Sequence, residues 1–168
     1  MILSTFTLFH VLISIVAILT GFVVVAGMLA AKPFERWTRV FLATTVATSV
    51  TGFLFPVHHF MPSHGVGIVS LLVLSVAIFA RYRRHLSGYW RPTFVVTATL
   101  ALYLNIFVLV VQAFLKVPAL KSLAPTQSEP PFKLTQLIVL GFFLLVTVFE
   151  LIRLRKPQPA QTDAVVDA

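Results

Sequence analysis

Apolar residues run in five long, nearly unbroken stretches: Leu8 to Leu29, Val40 to His58, Gly65 to Ala80, Thr93 to Leu115 and Leu134 to Leu154. They lack the alternation of outer-membrane strands, so the pattern predicts helices. A hydrocarbon layer about 30 Å thick is crossed by about 20 apolar residues at 1.5 Å each, and each stretch therefore reads as a transmembrane helix. The third reaches across only if Pro62 to His64 forms its first turn. The expected fold is all-α, an integral membrane bundle of about five helices occupying residues 1–156. Residues 157–168 form a polar, proline-containing tail with too little apolar area to offset the entropy of ordering it, and are expected to be disordered.

Composition points the same way. A chain of 168 residues that is 58% hydrophobic and 11% charged, with a mean hydropathy of +0.97, has too little polar surface to cover a core in water. With no lysine or arginine before Lys32 and an apolar run longer than a secretory leader's, the first stretch is expected to be a retained helix. Zero cysteines exclude disulfides, thiolate metal sites and cysteine nucleophiles.

The charge is one-sided. Lys32, Arg36 and Arg39 in the first connection, Arg81, Arg83, Arg84 and Arg91 in the third, and Arg153, Arg155 and Lys156 after the fifth stretch put ten basic residues on one side. Lys116, Lys121 and Lys133 are the three on the other. Basic residues resist export, so the N-terminus is expected outside and the C-terminus inside. The net charge of +8 thus reads as a topology determinant whose partner is the lipid bilayer, with Arg81, Arg83 and Arg84 near anionic headgroups, and nucleic acid is not expected as a partner.

Polar residues within the stretches are the candidate chemistry. Asn105 and Gln112, seven residues apart, share a helical stripe with Ala98, Ala101 and Val108, a small and polar face suited to packing against other helices. An interhelical hydrogen bond is one reading and a hydrated path or ligand pocket the other. Thr44, Thr45, Thr48, Ser49 and Thr51 are each able to bond back to a carbonyl one turn earlier. Gly21, Gly27, Gly52 and Gly141 are expected to permit close helix approach. Glu150, the one acid inside a stretch, lies one turn before Arg153, where an ion pair or snorkelling would satisfy it; intramembrane acids are otherwise functional candidates.

His10, His58, His59 and His64 converge on the outer side under this topology. Imidazole is the commonest metal ligand and a frequent haem ligand, and Met61 adds a thioether, so a haem or transition-metal site is one expectation. Gln127 or Glu129 from the long connection would reach over it. Interfacial histidines among Phe9, Phe55 and Phe60 are the other reading. His85, among arginines, is expected to be solvated.

The long connection Lys116 to Lys133 contains Pro118, Pro125, Pro130 and Pro131, which break any continuous helix; one turn at Ala119 to Ala124 and a partly ordered cap are expected. The stretch ALYLNIFVLVVQAFLKVPALKSLAPTQSEPPF, Ala101 to Phe132, resembles one that recurs in small multi-pass bacterial membrane proteins without assigned activity. The resemblance implies a bacterial inner-membrane setting and carries over no site residues. The functional expectation is a non-enzymatic structural or accessory membrane subunit packing with itself or another subunit. A haem or metal protein using the histidines, and an oligomeric transporter or channel lined by Asn105 and Gln112, are the alternatives.

Overall fold

A computed structural model describes residues 2–30, 32, 34–55 and 62–155; the tail 157–168, His58, His59 and Met61 lie outside them. Among the described residues there are helices and no strands: α1 (Ile2–Leu29), α2 (Glu35–Phe53), α3 (Pro62–Ile78), α4 (Trp90–Lys116), α5 (Pro118–Leu123) and α6 (Pro130–Arg155). Four segments are long and apolar enough to cross a membrane: Thr5–Leu29, His64–Arg83, Trp90–Lys116 and Pro130–Arg155. The helix α2 is not among them. It begins inside the basic connection with Glu35 and Arg36 and ends at Phe53, ahead of the expected Val40 to His58, and carries six Thr and Ser in its 19 residues. Pro62 does open α3, as its short apolar core required.

Packing of α1 on α2, α2 on α3, α3 on α4 and α4 on α1 closes a ring of four helices, and α6 lies outside it against α4, touching α1. The core of Val24, Val25, Phe41, Leu42, Leu74, Ala77, Ala80, Phe94, Ala98, Ala101 and Leu102 occupies the half of the ring nearer the basic end. Phe143 of α6 completes it, its ring centroid 6.4 Å from Phe22 and 5.9 Å from Tyr103. In the other half the covering is looser: no side chain of α1 from Thr5 to Val16 is fully buried, and residues 103–113 of α4 are half-buried or exposed.

Small residues let the helices meet. A Cβ on Gly21 would lie 2.6 Å from Leu102 Cδ1 and 2.9 Å from the Phe41 ring, so α1 approaches both neighbours here because the side chain is absent. Gly27 likewise admits Phe34, whereas among the described residues a Cβ on Gly52 would find only His10, at 3.9 Å, and one on Gly141 would meet nothing within 4 Å. The expectation for Gly141 fails because α6 turns that side outward, away from α4.

At the basic end α3 passes into a π-helical turn, Phe79–Arg83. It is closed by the Arg84 N–H on the Phe79 carbonyl at 3.1 Å, a π-type bond across five residues, and by the Leu86 N–H on the Ala80 carbonyl at 3.1 Å, across six. His85 and Leu86 adopt φ of 48° and 55°, left-handed values that cost a non-glycine residue roughly 1–2 kcal/mol. The helix-ending bonds and the packing of Leu86 against the core offset that cost. His85 itself is exposed, as expected.

The long connection is ordered as a cap on the end of α4. Val117 is extended, Pro118 starts α5 where its missing N–H costs nothing, and Ala124 is fully buried. Gln127 donates Nε2–H to the Val111 carbonyl at 2.9 Å. Glu129 accepts from the Thr126 N–H, the Thr126 hydroxyl and the Ser128 N–H at 3.1, 2.8 and 3.0 Å, and its carbonyl takes the first helical bond, from Lys133. Both side chains are therefore spent on the cap itself and on α4, which corrects the expectation that they reach over the histidines.

Two outcomes follow from this packing. Gly21→Leu should lower stability by about 1–3 kcal/mol through overpacking, while Gly141→Ala should leave it unchanged or raise it by up to about 1 kcal/mol; thermal unfolding in detergent measures both. Desolvation pushes the Glu129 carboxyl up, but bonds from the Thr126 hydroxyl and from the Glu129, Thr126 and Ser128 backbone outweigh it and hold the group below its ordinary 4.5. The cap's order should thus be complete above that value and be lost as pH falls through the lower folded-state value. Amide exchange at Thr126 and Ser128 reads the change, and Glu129→Gln should show the loosened state at neutral pH.

Candidate functional site

Polar side chains that the apolar stretches carry are gathered inside the bundle, and α2 supplies most of them. Thr45, Thr48 and Ser49 fall on one helical face and Thr51 lies off it, so the hydroxyls of α2 reach more than one neighbour. Thr45 is fully buried and accepts the Asn105 Nδ2–H at 3.3 Å, across the diagonal of the ring from α4. Ser49 donates to Ser70 of α3 at 3.1 Å, both nearly fully buried. Thr51 lies 2.8 Å from His10 Nδ1 of α1. Because the Thr51 hydroxyl donates to the Ala47 carbonyl at 2.7 Å, its oxygen accepts from His10, which assigns the proton to Nδ1 and leaves Nε2 as the acceptor nitrogen.

Only Thr44 and Thr51 bond back one turn as expected for the group. Thr45 and Ser49 serve other helices, and the buried hydroxyl of Thr48 has no partner among the described residues. The stripe on α4 also behaves as its spacing implies at Ala98, Ala101 and Asn105, the first two being fully buried. Gln112, near the end of the stripe, is half-buried.

On α6 a heptad that the apolar background hid, Gln136, Phe143 and Glu150, faces the ring. Gln136 donates to the Phe107 carbonyl at 3.2 Å. Glu150 is only 3% exposed, and one carboxyl oxygen accepts from the Thr99 hydroxyl at 3.1 Å. The other is buried with no partner among the described residues, as is the Gln136 oxygen. The ion pair with Arg153 suggested by spacing is absent: the one ion pair among the described residues joins Arg81 and Glu35 at 3.7 Å. The physical reason is the partner across the helix interface: Glu150 is turned inward onto the Thr99 hydroxyl of α4, while Arg153, about 60° round the helix, keeps its long side chain exposed.

The seven candidate residues thus separate into distinct places. Asn105 and Glu150 join the polar seam, Gln112 lies along the Asn105 stripe, and His10 and His64 flank the end of α2. There His10 packs edge-on to Phe55 at 5.1 Å and His64 against Phe53 at 5.7 Å. His58 and His59 lie outside the described residues, and among those described no three His, Cys, Asp or Glu converge as a metal site. Sequence reasoning missed Thr99, Ser70 and Gln136, although the seven-residue spacing of Gln136, Phe143 and Glu150 was a usable signal.

No protein-family model, curated protein or solved structure matches the chain. What the seam can do is therefore read from its chemistry. It holds helices together through directional bonds, and at Glu150 it keeps a carboxyl with one of its two oxygens unpartnered among the described residues.

A buried charged carboxylate with one donor is expensive, and glutamine keeps an acceptor for Thr99 without the charge. Glu150→Gln should therefore match or exceed the parent in stability, whereas Thr99→Val, which strips the carboxyl of its donor, should cost about 1–3 kcal/mol. Thermal unfolding in micelles, with the double variant closing the cycle, measures the coupling.

Proposed function

We propose that the chain is a five-helix integral protein of the bacterial cytoplasmic membrane, with its N-terminus outside and its C-terminus inside. It acts as a structural or accessory subunit that packs with itself or with another membrane protein. The observation that carries this reading is an inversion of the usual distribution of side chains. Leu145, Leu72 and Leu19 are 73%, 63% and 60% exposed, while Thr45, Thr99 and Glu150 are nearly or fully buried. Such a surface is at rest in hydrocarbon and not in water.

The helix α2 is counted as the fifth span because its 19 residues cover about 28 Å at 1.5 Å each, and Thr45, Ser49 and Thr51 bond to the helices around it. Orientation rests on the ten basic residues at one end, and on an aromatic belt at that end: Trp37, Tyr82, Tyr89 and Trp90 include both tryptophans and two of the three tyrosines. The subunit role is supported by the seam, whose amide of Asn105 and hydroxyls of Thr45, Ser49 and Thr99 are committed to neighbouring helices, and by α6, which buries only Phe143 and Glu150.

The chain has no natural thiol, so single cysteines report topology directly. Ser122→Cys should react with an impermeant maleimide in intact cells, and Ser87→Cys only after the membrane is opened; the reverse pattern overturns the orientation. Light scattering in detergent should give a protein mass above the 18.6 kDa of one chain, and a strict monomer removes self-association.

A further inference from the structure

A cleft of about 430 Å³ opens between α2 and the end of α3, lined by Arg39, Leu42, Ala43, Val46, Ile78 and Tyr82. Its volume falls in the range of about 300–1,000 Å³ usual for small-ligand sites. On α2 the lining follows one helical face, i, i+3, i+4 and i+7, and Val46 lies about 10 Å along the axis from Arg39. The cleft is therefore polar at one end and apolar along its length. Ala43 keeps the floor low, and Tyr82 stands on the π-helical turn, a distortion found frequently at functional sites.

The charges around its mouth are mostly basic. Arg36 is one turn from Arg39, and Arg83 and Arg84 follow Tyr82. Glu35, the only exposed acid among the described residues of this end, lies against Arg81. Arg84 is also held, 5.2 Å over the Trp90 ring and 5.7 Å over Phe79. Arg39 is exposed and makes no ion pair among the described residues.

We propose that this cleft binds one anionic phospholipid, its phosphate on Arg39 and the Tyr82 hydroxyl and one acyl chain along Leu42, Ala43, Val46 and Ile78. The proposal rests on the membrane reading above, since only a bilayer presents an anionic headgroup and an acyl chain at this boundary together. Charge complementarity selects the headgroup, and the run of apolar side chains Leu42, Ala43, Val46 and Ile78 beside it selects a lipid over a soluble anion.

The test is thermal unfolding of the purified full chain in detergent, titrated with phosphatidylglycerol, phosphatidylcholine or inorganic phosphate. Phosphatidylglycerol should raise the midpoint saturably and at lower concentration than phosphatidylcholine, and inorganic phosphate should not reproduce the shift. Arg39→Gln should weaken the anionic preference about fivefold, and Ala43→Phe, which fills the floor, should abolish saturation. Arg153→Gln, outside the cleft on the same side, should leave it intact. Equal response to the two lipids, a full response to phosphate, or equal effects of Arg39→Gln and Arg153→Gln overturn the site. A chain that stays soluble and folded without detergent would instead overturn the membrane reading itself.

Discussion

A polar group enclosed by apolar side chains must find its partner inside the protein, and leaving one unpartnered costs about 1–3 kcal/mol. In this bundle that constraint is met by pairing helices. His10 with Thr51 joins α1 to α2, Ser49 with Ser70 joins α2 to α3, Asn105 with Thr45 ties α4 to α2 across the diagonal, and Thr99 with Glu150 ties α4 to α6. With lipid as the proposed solvent, apolar contact alone gives little preference for one helix face over another. Directional bonds supply it, each worth about 0.6–2 kcal/mol. The least apolar long helix, α2, is accordingly the one from which most of these bonds start.

The two ends of the bundle differ in kind. Near the basic end the ring is filled by Phe41, Leu74, Phe94 and Leu102, and arginines lie over aromatic faces, Arg81 at 5.5 Å from Phe94 and Arg84 at 5.2 Å from Trp90. Such contacts keep a charge at a boundary while its stem packs inward. Toward the other end side chains are more exposed, and order comes from the cap, where Glu129 gathers three donors and Gln127 reaches back to α4. Acceptors on Gln136 and Glu150 without a partner among the described residues lie along α6, the helix outside the ring. That helix is held by a stripe through Phe132, Gln136, Val139, Phe143, Val146 and Glu150 and offers the rest of its circumference to its surroundings.

Much of this was open to a reader of the residues. Continuous apolar stretches specify helices, the small and polar stripe through Ala98, Ala101 and Asn105 specifies an inward face, and the prolines between Lys116 and Lys133 specify a break with one helical turn. These are local properties, set by backbone hydrogen bonding and by periodicity within one segment. The start of α2 at Glu35 was harder to see, because a helix does not need its first turn to be apolar when that turn sits beside charge at the bundle's edge.

Partner choice was beyond the chain taken segment by segment. Nothing in the spacing of Thr44, Thr45, Thr48, Ser49 and Thr51 says which hydroxyl turns back on its own helix and which crosses to Asn105 or Ser70. Neither does the proximity of Arg153 in sequence show that Glu150 belongs to Thr99, 51 residues away. Helical content and the inward faces were thus determined by the sequence alone, because apolarity and periodicity act over a few turns. The pairing of polar groups was decided only by the tertiary structure, because it depends on the rotation and depth at which separate helices meet.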